Sequence, residues 1–282
     1  MLNELEAAEW GKFLLLMVPY SLFFCAVDAA VVRQAVSWFN VRVRYPDILP
    51  IRATTYILTL LHALVGQGGL AVFLHKRYGV PFWQITGTVL VLWLVEIYQL
   101  TTYSFVGATL TGELGHRVSP WPYIVLAAYL VLHLWFFSRP RAGRIGTAQI
   151  LQTFYRARPW QYLVLLLMKT PNLLAAVTVY WITLPLFGIR VGFTELLTSL
   201  PLIFFSSAIP AAAKLGPSQA AWVYFFSDRA TGAKLIAFSL AAHLTFQVLN
   251  ALIGLCFLRR ALRSLEAGDA VVATPAGSTS SA

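Results

Sequence analysis

Two ionisable residues lie inside long apolar segments of this 282-residue chain. Glu96 is near the middle of the apolar segment 82–106, and Lys169 is well inside the segment 160–187. Each such group costs at least about 2.5–3.5 kcal/mol at the middle of a membrane on insertion scales, so intramembrane acids and bases usually serve a site. The two residues predict either a polar cavity within the membrane or a buried structural ion pair.

Polar residues continue the helical faces on which these two groups lie. Gln99 and Tyr103 follow Glu96 at helical spacing, and Asn172 follows Lys169 in the same way. Two further polar faces consist of Thr55, Thr59, His62, Gly66 and Gly69, and of His243, Gln247, Asn250 and Gly254. Four such faces predict a shared polar interior, although small and polar residues also hold packed helices together.

The composition is that of a helical membrane protein. Hydrophobic residues make up 59% of the chain and charged residues 11%, whereas a soluble domain carries about 25% charged residues. The apolar runs are long and continuous, which predicts an all-α polytopic fold. The net charge of +10 is expected from Lys and Arg in short loops, so no nucleic-acid partner is predicted.

The apolar runs also define the predicted domain organisation. Residues 1–263 are expected to form a single integral membrane domain, followed by a disordered tail over 264–282. The acidic N-terminus is unlike a secretory signal peptide. Segments long enough to cross the hydrocarbon are 13–32, 82–106, 121–138, 160–187 and 233–258.

Two further hydrophobic segments are interrupted. Segment 54–74 runs through Gly66-Gln67-Gly68-Gly69, and segment 193–226 contains Pro210, Gly216 and Pro217. Unwound backbone at membrane depth is tolerated only where it is buried in protein or lines a wet cavity. Paired broken segments in the two halves of a membrane protein point to a transport site.

Loop charge predicts how these segments lie. If both are re-entrant hairpins, most cationic residues fall on one face, including the loop cations Arg33, Arg42, Arg44 and Arg52. We therefore expect about five full spans and two re-entrant hairpins that enter from opposite faces as an inverted repeat. The N-terminus would lie outside the cell and the C-terminus in the cytoplasm. Asp28, near a span end, is equally consistent with the interface and with the interior.

The polar residues of the spans and hairpin turns form the predicted substrate site. Lys169 and Lys214 would hold a phosphate, Glu96 would balance charge or contact a cationic headgroup, and the first turn after Pro217 would offer free N–H groups. The predicted binding residues are Glu96, Lys169, Asn172, His62, Gln67, Lys214, Ser218 and Gln219. No metal-ligand spacing and no nucleophile–base motif occurs, so no catalytic residue, metal or cofactor is predicted.

Several of these motifs resemble the membrane region of the lysylphosphatidylglycerol synthase, or flippase-like, family. The resemblance rests on Leu61-His-Ala-Leu-Val-Gly-Gln-Gly-Gly-Leu-Ala71, on His75-Lys-Arg-Tyr-Gly-Val-Pro81, and on the stretch from Ile209 to Phe226. It departs from the family pattern at Ala211-Ala-Ala-Lys214 and at Gly216-Pro217-Ser218. It implies a bacterial inner-membrane protein that binds or moves a lipid, and it does not extend to an aminoacyl-transferase domain.

The expected function is therefore a lipid transporter or flippase, with an anionic phospholipid or a lipid-linked phosphate as its partner. Movement would be passive, ion-coupled or driven by a partner. One alternative is a membrane-embedded lipid-modifying enzyme, for which Glu113 and His116 are the acid–base candidates. Another is a scaffold that docks a partner complex without transport. DedA-like transporters, also built on opposed re-entrant hairpins, are an alternative within the first class.

Overall fold

The computed structural model describes residues 9–61, 63–114, 118–137, 148–206 and 216–272, and these residues are helical throughout apart from short links. Within them no strand occurs, and the only bridge joins Leu114 to Val118. The helices are α1 (Trp10–Phe39), α2 (Tyr45–Leu61), α3 (Ala63–Tyr78), α4 (Phe82–Thr111), α5 (Trp121–Phe137), α6 (Gln149–Arg156), α7 (Pro159–Thr183), α8 (Phe193–Ser206), α9 (Pro217–Phe226) and α10 (Gly232–Val272). A 3₁₀ turn, Leu184–Phe187, extends α7.

Four helices of the described chain are long and apolar enough to cross a membrane: Trp10–Phe39, Phe82–Thr111, Pro159–Phe187 and Gly232–Leu265. The fifth predicted span, 121–138, corresponds to α5, a shorter apolar helix of 17 residues. Large apolar side chains such as Leu15, Leu110 and Val131 are exposed on these helices. Apolar surface of that extent has a place in lipid and not in water.

The chain contains the same sequence of elements twice. A long helix, two shorter helices and a second long helix form the first half (α1 to α4) and again the second half (α7 to α10), with α5 and α6 between them. The first two helices of each half carry an internal proline: Pro19 and Pro50 in the first half, Pro171 and Pro201 in the second. We refer to the pair α2–α3 as hairpin 1 and to the pair α8–α9 as hairpin 2.

Each hairpin starts and ends at the same end of the helical bundle. The end of α1 meets the start of α4, where Gln84 Nε2 donates to the Phe39 carbonyl at 3.2 Å. Hairpin 1 is joined to these two helices by short links, so both of its outer ends lie there. In hairpin 2 the two outer ends are tied directly, because Arg229 Nε lies 3.1 Å from Glu195 Oε1.

The two hairpins lie at opposite ends of the bundle. The first helices of the halves, α1 and α7, are antiparallel: the rings of Trp38 and Trp160 are 5.2 Å apart, and those of Trp10 and Phe187 are 6.2 Å apart. Hairpin 1 follows the end of α1, near Trp38. Hairpin 2 follows Phe187, near Trp10, at the other end.

The halves are joined by reciprocal packing. Hairpin 1 packs its α2 on α10 of the second half, and hairpin 2 packs its α8 on α4 of the first. Both contacts centre on a glycine. A Cβ on Gly254 would lie 2.5 Å from the Ala53 carbonyl oxygen, and one on Gly107 would lie 2.6 Å from the Thr198 nitrogen. Such close backbone approach is how small residues hold helices together in lipid.

Two sequence-based boundaries differ from the structure. Gly66-Gln67-Gly68-Gly69 was predicted to interrupt the first hairpin, but it lies inside α3, which begins at Ala63. Gly66 packs directly on the Thr59 side chain of α2, so its missing side chain permits close contact between the two helices of hairpin 1. At the C-terminus, α10 continues past Arg263 to Val272, into the segment assigned to a disordered tail.

The glycine contacts predict a clear difference between two substitutions. Gly254→Ala should destabilise the protein by about 1–3 kcal/mol, because the new methyl group would meet the backbone of Ala53, which cannot rotate away. Gly68→Ala is the matched control, because no atom lies within 4 Å of its Cβ position. It should be neutral, or stabilising by about 0.5–1 kcal/mol. Equal unfolding midpoints for the two variants in detergent would contradict the packing.

Candidate functional site

A buried ion pair joins hairpin 1 to the first long helix. Arg52 Nε of α2 lies 2.5 Å from Asp28 Oδ2 of α1, and both side chains are about nine-tenths buried. The Tyr56 hydroxyl donates to the same Asp28 oxygen at 2.5 Å. Arg52 also donates to Thr55 Oγ1 at 3.3 Å, and its guanidinium lies 5.0 Å from the centre of the Tyr56 ring. The charges are thus paired, hydrogen-bonded and enclosed.

A second ion pair lies beside the first and is more open. Lys169 Nζ of α7 is 3.0 Å from Glu96 Oε2 of α4. The lysine side chain is 13% exposed, but the glutamate side chain is 52% exposed. Both residues lie near the middle of their helices, and these helices are long enough to cross a membrane. Glu96 therefore forms the accessible edge of a mostly buried group of charges.

The two pairs line one polar cleft. Its described lining includes all four charged residues together with Gln67 of α3 and the side chains of Val31, Val32, Leu92 and Trp93. The cleft has a volume of about 20 Å³, enough for about one water molecule. Two cations and two anions make the charged lining neutral as a whole. This arrangement can exchange its own ion pairs for the charges of a ligand that enters at Glu96.

Helical spacing and the antiparallel direction of the helices bring the charged residues of the cleft together. Arg52 and Tyr56 are four residues apart on α2, so they share a face and can reach Asp28 together. α1 is antiparallel to α7, which brings the middle of each helix to the same depth. Tyr103 of α4 donates to Thr170 of α7 at 3.1 Å and fixes the two helices that carry Glu96 and Lys169.

The structure brings three of the predicted residues together in the cleft, namely Glu96, Lys169 and Gln67. Asn172 is buried one turn further along α7, where its Nδ2 donates to the Phe24 carbonyl at 3.3 Å. Ser218 and Gln219 are buried in the first turn of α9, away from the cleft lining. Gln219 Oε1 there accepts from the Gly216 nitrogen at 2.5 Å and caps the helix.

Three other predicted positions, His62, Lys214 and His116, lie outside the described residues. Glu113, the proposed partner of His116 in the enzyme alternative, follows the C-terminus of α4 and is only partly buried. Within the described chain no group of three or more His, Cys, Asp or Glu side chains could hold a metal ion.

Sequence reasoning assigned Arg52 to a cytoplasmic loop, and the structure contradicts this. Arg52 lies in the second turn of α2 and is buried. Asp28, considered equally consistent with the interface, is buried with it. The misleading signal was the run of Arg and Pro residues from Arg42 to Pro50. The spacing of Arg52, Thr55 and Tyr56, which gives one polar helical face at the start of an apolar segment, could have revealed the site.

No protein-family model matches the chain, and no curated protein matches it at a significant level. The resemblance to the lysylphosphatidylglycerol synthase family therefore stays a prediction.

The buried pair predicts a large loss of stability when one charge is removed. Arg52→Met should cost about 3–5 kcal/mol, because Asp28 would be left charged and unpaired in the interior. Asp28→Asn combined with Arg52→Met should recover much of that loss, since the remaining amide still accepts from Tyr56.

Unfolding free energies in mixed micelles would measure both effects. The control is Arg44→Met, which removes the exposed partner of Asp47 and should change stability by no more than about 0.5 kcal/mol. If Arg52→Met costs no more than Arg44→Met, the Asp28–Arg52 pair does not hold hairpin 1 in place.

Proposed function

We propose that this protein is a flippase-like membrane protein that binds a phospholipid headgroup in the cleft between its two ion pairs and moves it across the bilayer. The observation that carries the proposal is the position of the cleft. Three helices able to cross a membrane (α1, α4 and α7) and hairpin 1 converge on four charges near mid-helix. Charges at that depth are costly, and where they occur they usually mark a pathway for a polar substrate.

The proposed topology follows from the same packing. Hairpins 1 and 2 are re-entrant, entering the membrane from opposite faces, and the two halves form an inverted repeat. The antiparallel arrangement of α1 and α7 and the direct tie between the ends of hairpin 2 support this. In transporters of this design the substrate site lies near the bilayer midplane, at the interface of the repeats. Arg52 and Gln67 would be hairpin 1's contribution to that site.

Substrate entry requires the cleft to open. Its volume of about 20 Å³ holds about one water molecule and is too small for a phosphate group. The Glu96–Lys169 pair is the natural point of opening, because it is the exposed pair and each partner belongs to a different helix. A headgroup that binds both Glu96 and Lys169 would supply the electrostatic attraction that is lost when this ion pair separates. The acyl chains would stay in the bilayer beside Glu96.

The protein is proposed to act in the cytoplasmic membrane of a bacterium, with its N-terminus outside and its C-terminus in the cytoplasm. Exposed cations support this orientation: Arg42, Arg44 and Lys76 lie near the outer ends of hairpin 1, and Arg259 and Arg260 lie in the last third of α10. Arg52 no longer counts toward this charge bias, because it is buried.

Reconstitution in liposomes with fluorescent phospholipids tests the transport proposal. Wild-type protein should move lipid between leaflets faster than protein-free liposomes do. Lys169→Ala should reduce this rate at least about tenfold, since it removes a charge-assisted bond worth about 1.5–3 kcal/mol. Lys12→Ala is the matched control, because Lys12 is exposed at the start of α1 and should be replaceable without effect.

Two results would contradict the proposal. One is a scrambling rate equal to that of empty liposomes for every lipid class. The other is equal rates for Lys169→Ala and Lys12→Ala. Stable co-purification with a partner complex, together with full tolerance of Lys169→Ala, would favour the scaffold alternative.

A further inference from the structure

The charges that line the cleft constrain the kind of headgroup that fits. Each charged side chain of the cleft has a partner of opposite charge, Asp28 with Arg52 and Glu96 with Lys169. The four charges sum to zero. A ligand that enters must leave every one of these charges compensated, because an unpaired charge in a low-dielectric site is strongly unfavourable.

The two pairs differ in how easily they can be exchanged. Asp28 is held by Arg52 and by the Tyr56 hydroxyl, and the Arg52 side chain is stacked on Tyr56. Glu96 and Lys169 hydrogen-bond to each other and, within the described chain, make no other side-chain hydrogen bond. Glu96 is also the most exposed of the four. A ligand will therefore exchange with the Glu96–Lys169 pair and leave the Asp28–Arg52 pair intact.

If a ligand replaces only the Glu96–Lys169 pair, ligands that carry just one charged group are disfavoured. An anion bound to Lys169 would displace Glu96 and give the four-charge cleft a net negative charge, and a cation bound to Glu96 would displace Lys169 and give it a net positive charge. A ligand that carries both charges compensates both residues at once. Trp93 also lines the cleft, and an indole ring is the aromatic group that attracts an ammonium most strongly.

We infer that the cleft selects a zwitterionic phospholipid headgroup, whose phosphate binds Lys169 and whose ammonium group binds Glu96. This inference rests on the proposed function and specifies its substrate class. From the sequence an anionic headgroup was predicted, held by Lys169 and Lys214, and Glu96 was a candidate contact for a cationic headgroup. The neutral set of four charges became visible only when the structure placed Asp28 and Arg52 beside them.

Competition between lipids in native mass spectrometry of the purified protein tests this inference. The protein is offered equal amounts of phosphatidylethanolamine and phosphatidylglycerol with the same acyl chains. Wild-type protein should retain mainly the zwitterionic lipid. Glu96→Gln leaves the site with one excess positive charge, so the preference should shift toward the anionic lipid by about tenfold or more.

Three controls test whether the shift depends on the charge of residue 96 and whether the ligand is a lipid. Glu96→Asp keeps the charge and should keep the wild-type preference. Asp47→Asn removes a half-buried carboxylate that does not line the cleft and should leave the preference unchanged. Soluble phosphoethanolamine at a concentration matched to the lipid should not displace it, because the acyl chains contribute to binding. Displacement would assign the site to the free compound and overturn the lipid assignment.

The outcomes separate this inference from the proposed function. A wild-type preference for phosphatidylglycerol would contradict selection of a zwitterionic headgroup but not lipid binding itself. Equal preferences in wild type and Glu96→Gln would have the same meaning. Retention of neither lipid by the wild-type protein contradicts both the inference and the proposed function.

Discussion

The buried ion pair between Asp28 and Arg52 is the constraint on which the first half of this protein depends. It fixes hairpin 1 against the first long helix at a depth where neither charge could remain alone. Tyr56 and Thr55 complete the hydrogen bonds of the pair, so the hairpin has one favourable position against α1. Once hairpin 1 is placed in this way, Gln67 on its second helix comes to the edge of the Glu96–Lys169 pair. The cleft is thus a consequence of how the hairpin is anchored.

The two halves share an architecture but differ in chemistry. The two halves are joined by similar contacts, one centred on Gly254 and the other on Gly107. Where α7 meets hairpin 2, however, aromatic rings fill the space: Tyr180 stacks on Trp222 at 6.0 Å, and both contact Phe238. The first half presents charges at its helix–hairpin contact, and the second presents a packed apolar core. Among the described residues, the charged cleft at the first contact therefore differs from the apolar packing at the second.

The re-entrant hairpins and the binding roles of the site residues stay predictions. Sequence reasoning indicated the all-helical membrane class and selected Glu96, Lys169 and Gln67, which the structure brings together in the cleft. The class follows from composition, and Glu96 and Lys169 follow from their places within long apolar segments, whereas Gln67 was selected as part of a predicted break. Sequence reasoning misplaced Arg52 because arginines and prolines near a helix start are typical of loops, and only tertiary packing shows that this guanidinium has a buried partner. It also read Gly66–Gly69 as a break. A run of glycines is compatible with an unwound segment and also with close helix packing. Here Gly66 packs against the Thr59 side chain, which is the second case. Contacts between residues distant in sequence were the information that periodicity could not supply.

An experimental structure of the protein in nanodiscs of phosphatidylethanolamine would test most directly whether the cleft binds a lipid headgroup. Headgroup density is expected between Glu96 and Lys169, with its phosphate within hydrogen-bond distance of Lys169 Nζ and with the Asp28–Arg52 pair intact. A structure in which Glu96 and Lys169 stay bonded to each other throughout, with no lipid density at the cleft, would contradict this expectation.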